Sequence, residues 1–288
     1  PGWSSRQQLT FDNSARAENL DNFPVLVTLD TNRFDYTQAQ ANGADLRFVD
    51  ADGTMLAHEI ENWNPNGQSH IWVKVPRIDA SSSSDSIWMY SGNRNAADAQ
   101  NSTSVWSNGY VGVWHMNQNP AGTGAIQDSS SSNVDGTATG MDGTNEIQGP
   151  IGGALRFDGT SEYIRVPTTS SDPTAVDPSH LTIEAWAYSS GATGAAERII
   201  NRRNIVLSTP YESYGLATSA TDSTQLVDAT GTPDLKGTTG SLPVDRWRYV
   251  TGVLNGLTSS LYVDGTLNAS QSGWAGSFLI VKGAYLGP

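Results

Sequence analysis

Residues 152–167 read Gly-Gly-Ala-Leu-Arg-Phe-Asp-Gly-Thr-Ser-Glu-Tyr-Ile-Arg-Val-Pro, and residues 181–188 read Leu-Thr-Ile-Glu-Ala-Trp-Ala-Tyr. The first stretch has the form of a β-hairpin. Ala154, Leu155 and Phe157 make one apolar run, and Tyr163, Ile164 and Val166 make the return. Asp158-Gly159 supplies the turn between them. In the second stretch Leu181, Ile183, Ala185 and Ala187 alternate with Thr182, Glu184, Trp186 and Tyr188. A period of two describes a strand with two unlike faces.

The same habit runs through the chain. Its 288 residues allow one large or two ordinary domains. It holds 29 Gly and 13 Pro, and only 16% of its residues are charged. With frequent Ser, Thr, Asn and Asp, that composition suits many short strands joined by turns. No stretch of helical length shows a 3.6-residue apolar period, so the expected class is all-β. Residues 1–92 form a first unit, with strand patterns at Phe23–Leu29, Asp45–Asp50, Ile71–Val75 and Ser86–Tyr90. The polar run 93–105 reads as a linker. Residues 106–288 form a second unit, whose first strand is expected over Tyr110–Met116. Further strands are expected at Ile205–Leu207 and Phe278–Val281, among others. Two tandem antiparallel β-sandwiches follow from this spacing.

Both units resemble known families. "GGALRFDGTSEYIRVP" followed by "LTIEAWAY", with "DSSSSNVDGTATG" upstream and "LPVDRWRYVTGVLNG" and "SSLYVDGTLNAS" downstream, is similar to the concanavalin A-like, laminin-G-like jelly rolls. The resemblance implies a jelly roll. It also implies a closing strand with an Asp-Glu pair beside the first strand, and the chain stops at Tyr285-Leu286-Gly287-Pro288 without such a pair. The expectation is therefore a jelly roll lacking its usual closing strand. The first unit, from "GWSSRQQLTFDN" through "GADLRFVDADGTMLAHEIENW" to "SIWMYSGN", is similar to DUF2341. That resemblance implies a microbial secreted or surface protein and carries no catalytic residues.

Charge and cysteine content narrow the partners. The formal net charge is −13 and the pI about 4.5. A phosphate backbone needs a positive field, so no nucleic-acid partner is expected. No basic amphipathic helix, signal peptide or apolar membrane run is visible, so no membrane insertion is expected. With no cysteine, disulfides and thiolate metal sites are excluded.

Catalytic groupings are not apparent. Glycoside hydrolysis uses two carboxylates about 5–9 Å apart, and the strand 181–188 offers Glu184 between Thr182 and Trp186. No Glu-x-Asp-x-Glu run occurs. His58, His70, His115 and His180 lie in separate segments without a Gly-x-Ser-x-Gly elbow. The glycine-rich run Gly149–Gly153 lacks the Lys-Ser/Thr of a phosphate loop. The expectation is a protein without paired acidic or nucleophile–base groupings, and not an enzyme.

Calcium is the one ion the side chains suit, since it takes about six to eight hard oxygen ligands. Asp128, Asp135 and Asp158 are the candidate ligands; the competing reading is that they cap turns. The nine Trp and ten Tyr are the remaining signal. Trp63 and Asn64, Tyr211 and Tyr214, and Trp274 fall in loop-like contexts and are the candidate ligand-binding residues. Trp72, Trp88, Trp114 and Trp247 fall in strand-like runs and are expected in core or inter-sheet packing.

The expected function is a non-catalytic carbohydrate-binding or adhesive module of a prokaryotic extracellular or cell-surface protein, with a glycan or cell-surface polysaccharide as partner. A structural subunit of a filament, joined to copies of itself by strand exchange, is the alternative. An accessory module of a polysaccharide-degrading enzyme is the third reading.

Overall fold

The computed structural model describes residues 2–166, 180–191, 197–203, 212–218, 223–228, 234–272 and 284–286. The chain divides into two compact units. The expected strands Ile205–Leu207 and Phe278–Val281 lie outside the described residues, apart from any account of their structure.

The first unit holds β1 (Ser5–Thr10), β2 (Leu20–Leu29), β3 (Arg47–Val49), β4 (Met55–Leu56), β5 (His58–Asn62), β6 (Ser69–Ile78) and β7 (Ser86–Ser91). Two antiparallel sheets form, in the orders β1-β7-β3-β4 and β2-β6-β5. Alternation decides the core. Ile71, Val73 and Val75 of β6 point inward, as do Ile87 and Met89 of β7, and they meet Leu29, Leu46 and Phe48. Pro76 has no N–H to give a ladder. It falls where the β2–β6 register skips Asn22, whose φ of 51° turns the strand locally.

Residues 93–105, read from sequence as a linker, are tied to this unit. Gln40 Nε2 donates to the carbonyls of Asn93 and Ala96. The Gln100 side chain accepts from Ile60 N at 2.6 Å, and Asn101 N donates to His58 O at 2.8 Å. These bonds occupy ladder positions along β5 that an edge strand would otherwise leave open. The compact unit extends through Asn117 and includes 128–133 and 151–153. The strand expected over Tyr110–Met116 does not form. A single bridge, Trp114 to Asp128, is its sheet-like contact.

In the second unit the strands are β8 (Thr137–Thr139), β9 (Glu146–Gln148), β10 (Gly153–Leu155), β11 (Tyr163–Val166), β12 (His180–Tyr188), β13 (Arg198–Arg203), β14 (Glu212–Thr218), β15 (Thr224–Asp228), β16 (Leu235–Lys236), β17 (Trp247–Asn255), β18 (Thr258–Val263), β19 (Thr266–Ser272) and β20 (Ala284–Leu286). A seven-stranded sheet runs β16-β15-β14-β13-β20-β11-β8, and a four-stranded sheet runs β12-β17-β18-β19. Ile183, Val250, Leu254 and Leu261 of the smaller sheet pack with Leu216, Leu226, Leu235 and Leu242. The sheets approach closely at Gly252, where an added Cβ would lie 2.7 Å from Leu226 Cδ1.

The hairpin expected over 154–166 is replaced by a different pairing. β10 pairs with β9, whereas β11 lies between β8 and β20. The Asp158 carboxylate explains the divergence. It accepts from the N–H groups of Thr160, Ser161 and Glu162 at 2.8, 2.8 and 3.0 Å. That arrangement builds a side-chain-capped loop in place of a two-residue hairpin turn. A true Asp-Gly hairpin occurs at Asp264-Gly265, where both residues have positive φ, 50° and 74°.

Candidate functional site

The four-stranded sheet of the second unit buries one face and presents the other to solvent. On β12 the inward positions are Leu181, Ile183, Ala185 and Ala187, all packed on the core. The outward positions are His180, Thr182, Glu184, Trp186 and Tyr188, all exposed. β17 runs antiparallel beside it, so register sets Tyr249 opposite Trp186, Trp247 opposite Tyr188, and Thr251 opposite Glu184.

These pairs form an aromatic terrace. Trp186 and Tyr249 have ring centroids 5.3 Å apart at 48°, and Tyr188 and Trp247 are 5.5 Å apart at 56°. Cross-strand aromatic pairs stabilise a sheet by roughly 0.2–1 kcal/mol, so packing accounts for part of their presence. It does not account for exposure. Trp186 keeps 42% and Tyr188 46% of its surface in water, where a large apolar ring gains nothing from the hydrophobic effect.

Polar groups fix the far end of the terrace. Tyr188 Oη donates to Asp245 Oδ1 at 3.2 Å. Local desolvation, then the Asp245 charge and this bond, hold the phenolic proton more firmly than usual. Asp264 pairs with Arg248 and accepts from Tyr249 N at 3.0 Å. Burial opposes its charge, but the Arg248 and Tyr249 hydrogen bonds prevail and lower its pKa. Glu184 differs from these. It stands exposed beside Trp186 and makes no hydrogen bond or ion pair among the described residues.

The residues singled out from sequence are placed otherwise. Trp63 is half-buried and packs edge-on against Phe34 and Tyr36, at 5.9 and 5.0 Å. Its Nε1 is buried, and its ring stands against Gly43. It therefore packs against the first sandwich's core. Phe34 and Tyr36 also line an open cleft of about 450 Å³ with Asp35, Thr37 and Pro65. Asn64 is exposed, but its Oδ1 accepts from Asn66 N within its own turn. Tyr214 is a correction: it is buried in the second core, at an inward position of β14 shared with Leu216. Tyr211 and Trp274 lie outside the described residues. Trp72, Trp88 and Trp247, expected in core or inter-sheet packing, stand half-buried at outward positions of their strands.

Two of the candidate calcium ligands, Asp128 and Asp158, accept N–H and O–H donors of the chain. Asp128 is buried, and its carboxylate accepts from Val113 N, Ser130 N and Ser130 Oγ, each at 2.9 Å. Asp158 accepts from the N–H groups named above and from two hydroxyls, which depress its pKa strongly. Asp135 is half-buried and belongs to the second unit, as does Asp158, while Asp128 belongs to the first. Among the described residues, no group of three or more His, Asp or Glu side chains is placed to hold a metal ion.

A paired acidic grouping does exist, contrary to the expectation of none. Glu59 and Glu61 take alternate positions on β5, so both side chains leave the same face. His115 sits between them, with Nε2 3.2 Å from Glu59 Oε2 and Nδ1 3.3 Å from Glu61 Oε2. Trp106 Nε1 and Ser129 Oγ also donate to Glu59, and Trp72 Nε1 donates to Glu61. Burial disfavours a charged imidazole, but bonds to Glu59 and Glu61 and their charges outweigh it, raising its pKa to about 9. The side chains are 14%, 3% and 8% exposed in the order Glu59, Glu61, His115, so neither carboxylate is open to a substrate. The group is a buried latch holding residues 106–117 and 128–133 on the first sandwich. The alternation Glu59-Ile60-Glu61 was visible in sequence; the histidine that saturates it was 54 positions away from Glu61.

Comparison with known proteins supports the two-part organisation. Residues 42–137 match DUF2341, a domain of unknown function. Residues 158–284 match the concanavalin A-like lectin/glucanases superfamily. No curated protein matches the chain. Among solved structures, a Trypanosoma rangeli sialidase in complex with sialic acid is 14% identical with a TM-score of 0.47, over 84% of this chain and 38% of that one. Domain 4 of AbnA, an extracellular arabinanase from Geobacillus stearothermophilus, in complex with arabinotriose, is 15% identical with a TM-score of 0.41, over 56% and 76%. The binding domain of botulinum neurotoxin DC is 13% identical with a TM-score of 0.39, over 56% and 40%. The chain spans 40–43% of the length of the first solved structures it matches. The chain therefore carries a DUF2341 match followed by a match to the concanavalin A-like lectin/glucanases superfamily, and its architecture is nearly all-β.

Proposed function

We propose that this chain is a non-catalytic carbohydrate-binding module of a microbial extracellular or surface protein, and that the terrace of Trp186, Tyr188, Trp247 and Tyr249 is its binding face. The observation that carries the reading is the exposure of Trp186 and Tyr188 on a face built from strands. A pyranose ring has an apolar C–H face and a polar rim. Aromatic rings held by a rigid sheet meet the first, and neighbouring Thr182, Glu184 and Thr251 meet the second. Strand-borne rings lose little freedom on binding, which favours affinity.

The non-catalytic part rests on the carboxylates. Glu184 lacks a second acid on its face of β12, and glycoside hydrolysis uses two. Glu59 and Glu61 are already committed to His115, Ser129 and two indoles.

Affinity electrophoresis against a set of soluble polysaccharides tests the reading. The wild type is expected to be retarded by at least one, and Trp186→Ala with Tyr188→Ala to migrate freely. Circular dichroism shows whether the double variant is folded. Retardation that survives in a folded double variant removes the terrace from the binding site.

A further inference from the structure

We infer that the terrace selects polysaccharide chains bearing free amino groups, that is, de-N-acetylated amino sugars, over their acetylated or acidic counterparts. This inference rests on the carbohydrate-binding reading above. It comes from Glu184, which that reading alone leaves without a purpose beyond polarity.

Glu184 is exposed at the outward position next to Trp186 along β12. Its cross-strand partner is Thr251, an uncharged residue, and Thr251 in turn pairs with Tyr262 of β18. Tyr249 lies diagonally across from it, opposite Trp186. Diagonal neighbours on one sheet face are about 7–8 Å apart, a gap that a bound group can bridge. A sugar seated on the Trp186–Tyr249 pair would thus bring a ring substituent within reach of the carboxylate.

Among the described residues nothing compensates the charge at that place. Glu184 has no ionic or hydrogen-bond partner among the described residues. Arg248 is engaged with Asp264, and Tyr188 is engaged with Asp245. Arg246 lies in the turn before β17 and not on the outward row of either strand. The chain as a whole carries −13. An ammonium group gains twice in such a setting, from the faces of Trp186 and Tyr249 and from the carboxylate. A carboxylated or sulfated sugar meets repulsion from the same group, and an acetylated amine offers no charge.

The test compares glucosamine oligosaccharides with the same oligosaccharides after N-acetylation, using isothermal titration calorimetry. The wild type should favour the free amine by about fivefold to tenfold, the size expected for an exposed cation–π contact with a charge-assisted bond. Glu184→Gln should bring the ratio of the two affinities close to one. Trp186→Phe, which keeps a ring, should retain the preference. Equal binding of both by the wild type, or a preference that persists in Glu184→Gln, overturns the inference while leaving a carbohydrate-binding face intact. Tighter binding of polygalacturonate than of the amine also overturns it. No binding of any polysaccharide removes the reading on which it rests.

Discussion

Trp186 stands directly across from Tyr249 on the neighbouring antiparallel strand, their ring centroids 5.3 Å apart, on the solvent side of the sheet. The two rings touch each other and water, and nothing in the core depends on Trp186. A double-mutant cycle with Trp186→Ala and Tyr249→Ala should give a coupling of about 0.5–1 kcal/mol in unfolding free energy. A value near zero would mean that the rings do not hold one another in place.

The latch on the first sandwich is costly to break from one side. Glu61→Ala leaves the Trp72 indole N–H without its acceptor at 2.6 Å and takes one of two carboxylates from a charged, buried His115. Removing one partner of a buried ion pair costs about 3–5 kcal/mol. The expected result is a clear loss of stability in urea unfolding monitored by tryptophan fluorescence. A loss below about 1 kcal/mol, the size seen for exposed pairs, would show that the cluster is solvated.

Two histidines of the first unit act in opposite directions with pH. His115 has a folded pKa raised to about 9 from the ordinary 6.5. Its contribution is therefore complete below pH 6.5 and disappears as pH rises through about 9. His58 is lowered to about 4, first by burial against Phe48 and then by the Arg47 charge, with Asp98 opposing. Its neutral form belongs to the fold, so stability falls as pH drops from 6.5 toward about 4. His70, lowered by burial, adds to the same acid limb. Each of the two larger shifts is worth on the order of 3 kcal/mol. The unfolding free energy should peak near pH 6.5. His115→Gln should flatten the alkaline limb and His58→Gln the acid limb, both read from urea titrations across pH. Unaltered limbs in both variants would contradict the assignment.

We propose that Asp128 and Asp158 work as caps and not as calcium ligands, because their oxygens already accept N–H and O–H donors. Adding EDTA should leave the melting temperature unchanged, and Asp128→Ala should lower stability by about 1–3 kcal/mol through the buried donors it abandons. A fall in melting temperature with EDTA that calcium restores would reverse the assignment.

The sheet content was legible because alternation is written locally. Ile71, Val73 and Val75, and Ile183 with its outward neighbours, declared their faces without reference to any partner. Pairing was less legible. Ala154–Phe157 and Tyr163–Val166 flank an Asp-Gly and read as a hairpin, yet β10 and β11 go to different sheets once Asp158 caps three successive N–H groups. Partner choice is a non-local matter that the strand sequences do not carry. The same limit applied to the site. The outward position of Trp186 was plain from its period, but its exposure depended on what else covers that face. Trp63 sits in a polar segment and still packs on Phe34 and Tyr36, drawn in by residues about 30 positions earlier.

Direct measurement of glycan binding by the folded chain, wild type beside Trp186→Ala/Tyr188→Ala, tests the central claim most closely. Retardation of the wild type by a polysaccharide, loss of it in the double variant, and an intact polysaccharide afterwards are the expected results. Release of reducing ends from that polysaccharide, or unchanged retardation of the folded double variant, would contradict it.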